Sequence, residues 1–352
     1  MFQNQVSMTT TLYQSPLILA GPCSIESESQ ILATAHALAE IHEVGMLRGG
    51  IWKPRTRPDA FEGRGEEGLV WLREAKRATG LPTATEVASP AHVELALKYE
   101  VDALWIGART VVNPFSVQQL ADALKGVDIP VFIKNPVSPD LNLWLGAFER
   151  FQKSGLTQLA AIHRGFAYYK KSPYRNFPMW EIPIELKRLL DVPVITDISH
   201  ICGSRELLRD TAQKSVDLAF DGLMVECHCD PDSALTDAGQ QITPSALSDL
   251  LKSLAPRSKQ AVDDPVLAAL RSEIDDIDDE LLQLLARRMN VSSQIGEYKK
   301  QEGLTVVQMD RWKQVLADHL NTGAELGLSE ELITKVFEAI HLASIQRQSS
   351  KF

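Results

Sequence analysis

Between residues 17 and 256, short apolar runs recur eight times: LILAG at 17, MLRGG at 46, TATEV at 83, ALWIG at 103, VFIK at 131, LAAIH at 159, VITD at 194 and LMVE at 223. Seven of the intervening segments are long enough for a helix and its loops. In one of them, 31-ILATAHALAEIHEVG, apolar residues fall at helical spacing before a glycine stop. Short, nearly continuous apolar strands suit a parallel sheet buried on both faces. Eight strand–helix units in 240 residues predict an α/β fold, a (β/α)8 TIM barrel over residues 1–256. An open doubly wound sheet is the competing arrangement, and the polar residues weigh against it. Nearly every run ends in a reactive cluster (GPCS, RGGIWKPRT, TEV, GART, KNP, HRG, DISH, ECH), and in a barrel these ends converge on one mouth.

The pattern then breaks. The stretch 253-SLAPRSKQAVDDPV is polar, with a proline near each end, and reads as a linker placed at 257–265. From 266 to 300 one long amphipathic pattern runs through Leu267, Leu270, Ile274, Ile277, Leu281, Leu284, Ile295 and Tyr298, and Gly303 ends it. Shorter helical patterns follow at 309–320 and 329–348, so residues 266–352 read as an all-α domain. A lone helix of that length exposes its apolar stripe, so it must pack on its own bundle or on a partner chain.

Composition adds constraints. Apolar residues make up 44% and charged residues 23%, which excludes a disordered chain or a disulfide scaffold. A net charge of −10 argues against a nucleic-acid partner held by bulk charge. No run is apolar enough for a membrane helix. The start MFQNQVSMTTTLYQ, free of Lys and Arg, does not read as a leader. With only four cysteines, at 23, 202, 227 and 229, a cytoplasmic setting is expected.

The strand ends hold two kinds of chemistry. Cys23 follows strand 1, His200 follows strand 7, Glu226 ends strand 8 and Asp237 lies in the loop after it. In a closed barrel strands 7, 8 and 1 are neighbours, so these residues share one arc. A thiolate, an imidazole and two carboxylates suit a divalent transition metal such as Mn, Fe, Co or Zn. Cys227 and Cys229 alternate away from Glu226 and read as packing. The second kind is cationic. Arg48 and Lys53 follow strand 2, with Arg55 and Thr56 further along that loop; Arg109 follows strand 4, Lys134 strand 5 and Arg164 strand 6. Such a ring suits small anionic substrates carrying carboxylate and phosphate. A metal-free aldolase using Lys134 or Lys53 as a Schiff-base nucleophile, its pKa lowered by the arginines, is the alternative.

The ordered motifs GPCSIES, RGGIWKPRT, IGART, IKNP, HRGF, DISH, ECH and TDAGQQ, over residues 15–256, resemble 3-deoxy-D-arabino-heptulosonate 7-phosphate (DAHP) synthase, the entry enzyme of the shikimate pathway leading to the aromatic amino acids. The likeness is to the short-chain, type I beta-like branch. Only about 16 residues precede strand 1, so the N-terminal ferredoxin-like regulatory domain of that branch is not expected. KPRT at 53–56, in place of the KANRSS usual in the octulosonate relatives, favours a four-carbon acceptor. The resemblance implies that Arg48, Lys53, Arg109, Lys134 and Arg164 hold phosphoenolpyruvate. Arg55 and Thr56 would meet the phosphate of erythrose 4-phosphate. A metal on Cys23, His200, Glu226 and Asp237 would polarise the aldehyde, and Lys53 would be the proton donor.

In the tail, Arg288 and Lys299 lie within about 20° of each other on an ideal helix, roughly 16 Å apart along its axis. Together they could bracket a small dianion. Arg271 is about 100° away from Arg288 and roughly 26 Å distant, so it is either solvated or serves another chain. PVLAALRSEIDDIDDELLQLLARRM, IGEYKK and VVQMDR resemble the all-helical chorismate mutases over 265–350. That family intertwines two chains, and the resemblance implies a homodimer in which Arg271 crosses to the partner's site. It places Arg288, Lys299, Arg311 and Gln348 on the chorismate or prephenate, with Lys299 and Gln348 as donors to the ether oxygen. Gln308 stands where Asp is common, and Trp312 where a Glu usually contacts the substrate hydroxyl. A bifunctional enzyme with allosteric feedback of prephenate or chorismate on the synthase is expected. A non-catalytic sensor tail, a pure dimerisation tail, and a barrel acting on another sugar phosphate remain the alternatives.

Overall fold

The computed structural model describes residues 16–54, 61–257 and 265–351. Two compact units divide it, Met1–Lys259 and Gln260–Phe352. Most of the linker expected at 257–265 lies outside the described residues, as do Arg55 and Thr56.

The first unit is a closed barrel of eight parallel strands in sequence order: β1 Leu17–Gly21, β2 Val44–Arg48, β3 Thr83–Val87, β4 Ala103–Ile106, β5 Val131–Lys134, β6 Leu159–His163, β7 Val194–Asp197 and β8 Gly222–Glu226. β8 pairs with β1 from Leu17↔Gly222 to Gly21↔Glu226, which closes the ring. The expected strands are present. β2 starts two residues before Met46, because Val44 is buried and pairs with Ile18.

Alternation along these strands sorts their side chains into two cores. One inward set, including Leu19, Met46, Ala84, Trp105, Phe132, Ile162, Ile195 and Met224, fills the barrel. The large rings of Trp105 and Phe132 are accommodated beside the small Ala84, Ala103 and Ala160. The other set, including Ile18, Leu47, Leu104, Ile133 and Val225, packs outward on the helices. Because the period of a strand is two, the residue two positions beyond each inward apolar residue also points inward, at the mouth. Met46 is followed by Arg48, Ala84 by Glu86, Phe132 by Lys134, Ile162 by Arg164, Ile195 by Asp197 and Met224 by Glu226. Gly21 has φ +151, and a Cβ there would lie 2.0 Å from the Arg48 carbonyl oxygen; only glycine lets β1 and β2 approach this closely at the mouth.

The second unit is helical: Pro265–Gln301, Met309–Glu325 and Glu330–Ser349. The long helix stops at Gly303 (φ +64), and the Leu304 N–H returns to the Lys299 carbonyl. The second helix runs five residues past the expected 320. Gly323 lies within it, buried against Ile333, where a Cβ would sit 2.6 Å from Cγ1. Tertiary contact outweighs the low helix propensity of glycine there. The long helix packs on the third through its C-terminal half, where Ser292 and Gly296 are buried. Leu270, Ile274, Ile277, Leu281 and Leu284 of its first half are more than half exposed. No helix among the described residues is long and apolar enough to cross a membrane.

Candidate active site

At the C-terminal end of the barrel a cavity of about 350 Å³ is lined by residues that include Lys53, Glu86, Arg109, Lys134, Arg164, Arg175, Asn176, His200 and Asp237. Beside it, ligand atoms of Cys23, Glu226 and Asp237 lie within 4.8 Å of one another. The Cys23 thiol is 3.4 Å from Asp237 Oδ2. His200 stands next to this group without joining it. Its Nδ1 is 3.7 Å from Glu226 Oε1 and about as close to Asp197 as a hydrogen bond requires, at 3.0 Å.

Glu226 is fully buried and held from two sides. Arg48 Nη1 donates to Oε1 at 2.8 Å, and Gln240 Nε2 donates to Oε2 at 2.6 Å. Burial opposes its charge, but His200, Arg48 and Lys53 outweigh that and hold its carboxyl at about 2. Burial, reinforced by Glu226, pushes the Cys23 thiol up to about 12. Lys53 Nζ donates to both Cys23 Sγ and the Cys23 carbonyl, each at 3.0 Å. The expectation that arginines lower a lysine pKa here is corrected for Lys53. Burial does work against its charge, but Cys23 and Glu226 outweigh that and the net shift is upward. Lys134 Nζ donates to Asp197 Oδ2 at 2.8 Å, and both Lys134 and Arg48 lie over the Trp105 ring.

Arg164 carries the marks of a cationic pocket. Its guanidinium is pulled down to about 10: burial dominates, Asp197 opposes, and Arg175 and Arg109 add to the pull. Arg109 is exposed on the rim. An anion brought among these cations would offset both the burial of Arg164 and its repulsion by Arg175 and Arg109.

The structure thus gathers Cys23, Glu226, Asp237 and His200 on one side, and Lys53, Arg109, Lys134 and Arg164 around the cavity. Arg48 lies beneath, spent on Glu226. Sequence reading passed over Arg175, Asn176, Asp197, Gln240 and Gln241. Asp197, Gln240 and Gln241 stand inside the motifs DISH and TDAGQQ and carried a signal; Arg175 and Asn176 come from the long loop after β6, where no spacing marks them. A second expectation is corrected. Cys227 is packed, but Cys229 is exposed, since the chain has left the strand after Glu226 and turned outward.

In the helical unit, Arg288 Nη1 donates to Ser344 Oγ at 2.5 Å, Lys299 Nζ to the Val306 carbonyl at 2.7 Å, and Gln348 Nε2 to Ser292 Oγ at 3.3 Å. Gln348 Oε1 is buried without a hydrogen-bond partner among the described residues. Arg288 and Gln348 thus each reach a serine on the facing helix, Ser344 and Ser292 respectively. Arg311 bonds Gln314 on its own helix, and Arg271 is exposed on the first half of the long helix. The Trp312 ring stacks on His341 at 3.9 Å.

Comparison with known proteins bears on both units. A model of the DAHP synthetase I family matches residues 9–261. The chain belongs to the DAHP synthetase I family. A model of chorismate mutase type II matches residues 270–349, so the family barrel is followed by a chorismate mutase domain and the chain is a bifunctional enzyme. It is 31% identical over 246 residues to a phospho-2-dehydro-3-deoxyheptonate aldolase of Thermotoga maritima, covering 70% of each chain. It is 26% identical over 260 residues to a 2-dehydro-3-deoxyphosphooctonate aldolase of Nitratidesulfovibrio vulgaris, covering 68% of this chain and 90% of that one. The crystal structure of the Thermotoga maritima DAHP synthase superposes with a TM-score of 0.62 at 30% identity, over 67% of each chain.

Proposed function

We propose that the barrel of this DAHP synthase condenses phosphoenolpyruvate with erythrose 4-phosphate at the mouth described above, with a divalent transition metal held by Cys23, His200, Glu226 and Asp237. The carrying observation is the mixed sulfur and carboxylate ligand group of Cys23, Glu226 and Asp237 beside a cavity lined by Lys53, Arg109, Lys134, Arg164 and Arg175. The donor set fits a borderline metal. With Nδ1 engaged by Asp197, His200 has Nε2 left as its ligand atom. The metal, when bound, polarises the acceptor aldehyde as a Lewis acid.

Arg109, Arg164 and Lys134 bind the carboxylate and phosphate of phosphoenolpyruvate and fix its plane. Its terminal carbon then attacks the aldehyde carbon and forms the new C–C bond. Water adds at the carbon bearing the phosphate, and the C–O bond breaks to release inorganic phosphate. Lys53, 3.0 Å from the Cys23 sulfur, is placed to give a proton to the new hydroxyl. Arg48 steadies Glu226. A Schiff-base route suits the site less well, because Lys53 and Lys134 are both committed as hydrogen-bond donors. Arg55 and Thr56, assigned to the acceptor phosphate, lie outside the described residues.

The helical unit rearranges chorismate to prephenate, a pericyclic step that needs a held conformer and donors at the ether oxygen rather than a nucleophile. Arg288, Lys299, Arg311 and Gln348 hold the substrate, and a homodimer through the long helix brings Arg271 from the partner. The open apolar stripe supports that dimer. Offered phosphoenolpyruvate with erythrose 4-phosphate or arabinose 5-phosphate, the enzyme is expected to release phosphate only with the four-carbon acceptor and to stop when a chelator is added. Chorismate turnover is expected to continue in the chelator. An eight-carbon product, or chelator-resistant synthesis, removes the respective assignment.

A further inference from the structure

Two adjacent side chains, Gln240 and Gln241, are both buried and extend to different partners. They follow Asp237, whose backbone takes a left-handed conformation (φ +50) that starts a single turn, Ala238–Gln240. Gln240 Nε2 donates to Glu226 Oε2 at 2.6 Å, while its Oε1 accepts from Arg175 Nη1 at 2.7 Å. The same Arg175 atom donates to Asp237 Oδ1 at 3.0 Å. Gln241 Oε1 accepts the Cys23 N–H at 3.0 Å, and its Nε2 donates to the Thr236 carbonyl at 2.8 Å. Through these bonds one dipeptide touches the carboxylate of Glu226, the backbone of Cys23, and the peptide leading into Asp237.

We propose that Gln240 and Gln241 are positioning residues for the metal-ligand group, Gln240 fixing the Glu226 carboxylate and Gln241 locking the loop after β1 to the loop after β8. The inference rests on the reading of Cys23, Glu226 and Asp237 as metal ligands. The Gln240 amide gives a hydrogen to a carboxylate through one atom while accepting one from a guanidinium through the other. A glutamate there would keep the Arg175 bond and repel Glu226. An apolar side chain would free the Glu226 carboxylate to rotate, so its ordering would be charged against metal binding. At Gln241 an apolar side chain would leave the Cys23 N–H and the Thr236 carbonyl without these partners in a buried setting, and the sulfur would lose its fixed distance from Asp237.

The test uses the full-length chain stripped of metal. Mn(II) is titrated for Kd, Co(II) is titrated for the thiolate-to-cobalt absorption band, and the melting temperature of the metal-free protein is recorded. Gln240→Met and Gln241→Leu are expected to weaken Mn(II) binding by about 10–100-fold, with a shifted or weakened cobalt band and chorismate turnover unchanged. Gln241→Glu, which keeps the acceptor for the Cys23 N–H, is expected to fall between Gln241→Leu and wild type. Gln240→Asn, one methylene short, stands in for Gln240→Met should that variant fail to fold. A lowered melting temperature with wild-type Kd and cobalt band in the folded protein would show a purely structural role and overturn the proposal. Cys23→Ala separates the two levels. A wild-type chain whose cobalt complex has no thiolate band, or a Cys23→Ala chain that binds as wild type, overturns the ligand assignment itself.

Discussion

His163 and Arg164 are neighbours in the chain and belong to different worlds. Arg164 follows the inward parity of Ile162 and reaches the cavity; His163 faces outward, fully buried against Trp180 and Phe166. Burial, with Arg164 adding to it, pulls the His163 imidazole from 6.5 down to about 3. In the unfolded chain His163 takes up a proton below 6.5, while in the folded barrel it does so only near 3. Between those limits the unfolded state binds more protons, so stability falls with falling pH. The contribution is about 1.4 kcal/mol for each pH unit across that window. His163→Phe is expected to flatten this acid-side slope, read as the urea midpoint against pH. An unchanged slope would place the acid sensitivity elsewhere. The same residue scale shows why charges near the site differ in role: Arg48 is inward and fully enclosed by Glu226 and Trp105, whereas Arg109 sits on the rim.

Helices and strands are legible to different degrees. The eight apolar runs mark β1–β8 closely, since strands buried on both faces have no polar side to blur them. In the tail, the pattern reveals the long helix but not which half of it finds a neighbour within one chain. Gly296 marks the packed half, where a Cβ would lie 2.9 Å from the Gln348 Cα. The other half presents Ile274, Ile277 and Leu281 to solvent. Ile277→Asp is expected to convert a dimer to monomer in sedimentation velocity and to cut chorismate turnover roughly 100-fold or more, given the cost of burying a carboxylate in an apolar seam. Synthase turnover should change far less. A monomeric wild-type chain with full mutase activity would sink the shared-site reading.

On the scale of the whole molecule, one chain joins a DAHP synthase barrel to a chorismate mutase bundle, an early and a later step of one pathway. Prephenate bound in the bundle is expected to weaken phosphoenolpyruvate binding in the barrel and so slow the synthase at low substrate, and phosphoenolpyruvate to weaken prephenate binding by the same factor in Kd, as linkage requires. Synthase rates and prephenate titration calorimetry check the two arms. Synthase rates unmoved by saturating prephenate would show the two units to be independent.

The sequence by itself determined the barrel, the all-α tail and the gathering of the charged strand ends at one mouth. These follow from local regularities: a period of two in strands, a period near 3.6 in helices, and the rule that barrel strand ends converge. The convergence of Cys23, His200 and Glu226 was legible because each ends or follows an apolar run, and that of Asp237 because it lies in the loop after β8. The tertiary structure alone decided how the charges pair. Arg48 meets Glu226 across 178 positions of chain, and Gln241 meets the Cys23 N–H across 218. No local pattern encodes such contacts, because their partners are set by ring closure of β8 on β1 and by the turn after Asp237. Cys229 illustrates the same limit, since alternation ends where the strand does and only the folded chain shows where that is.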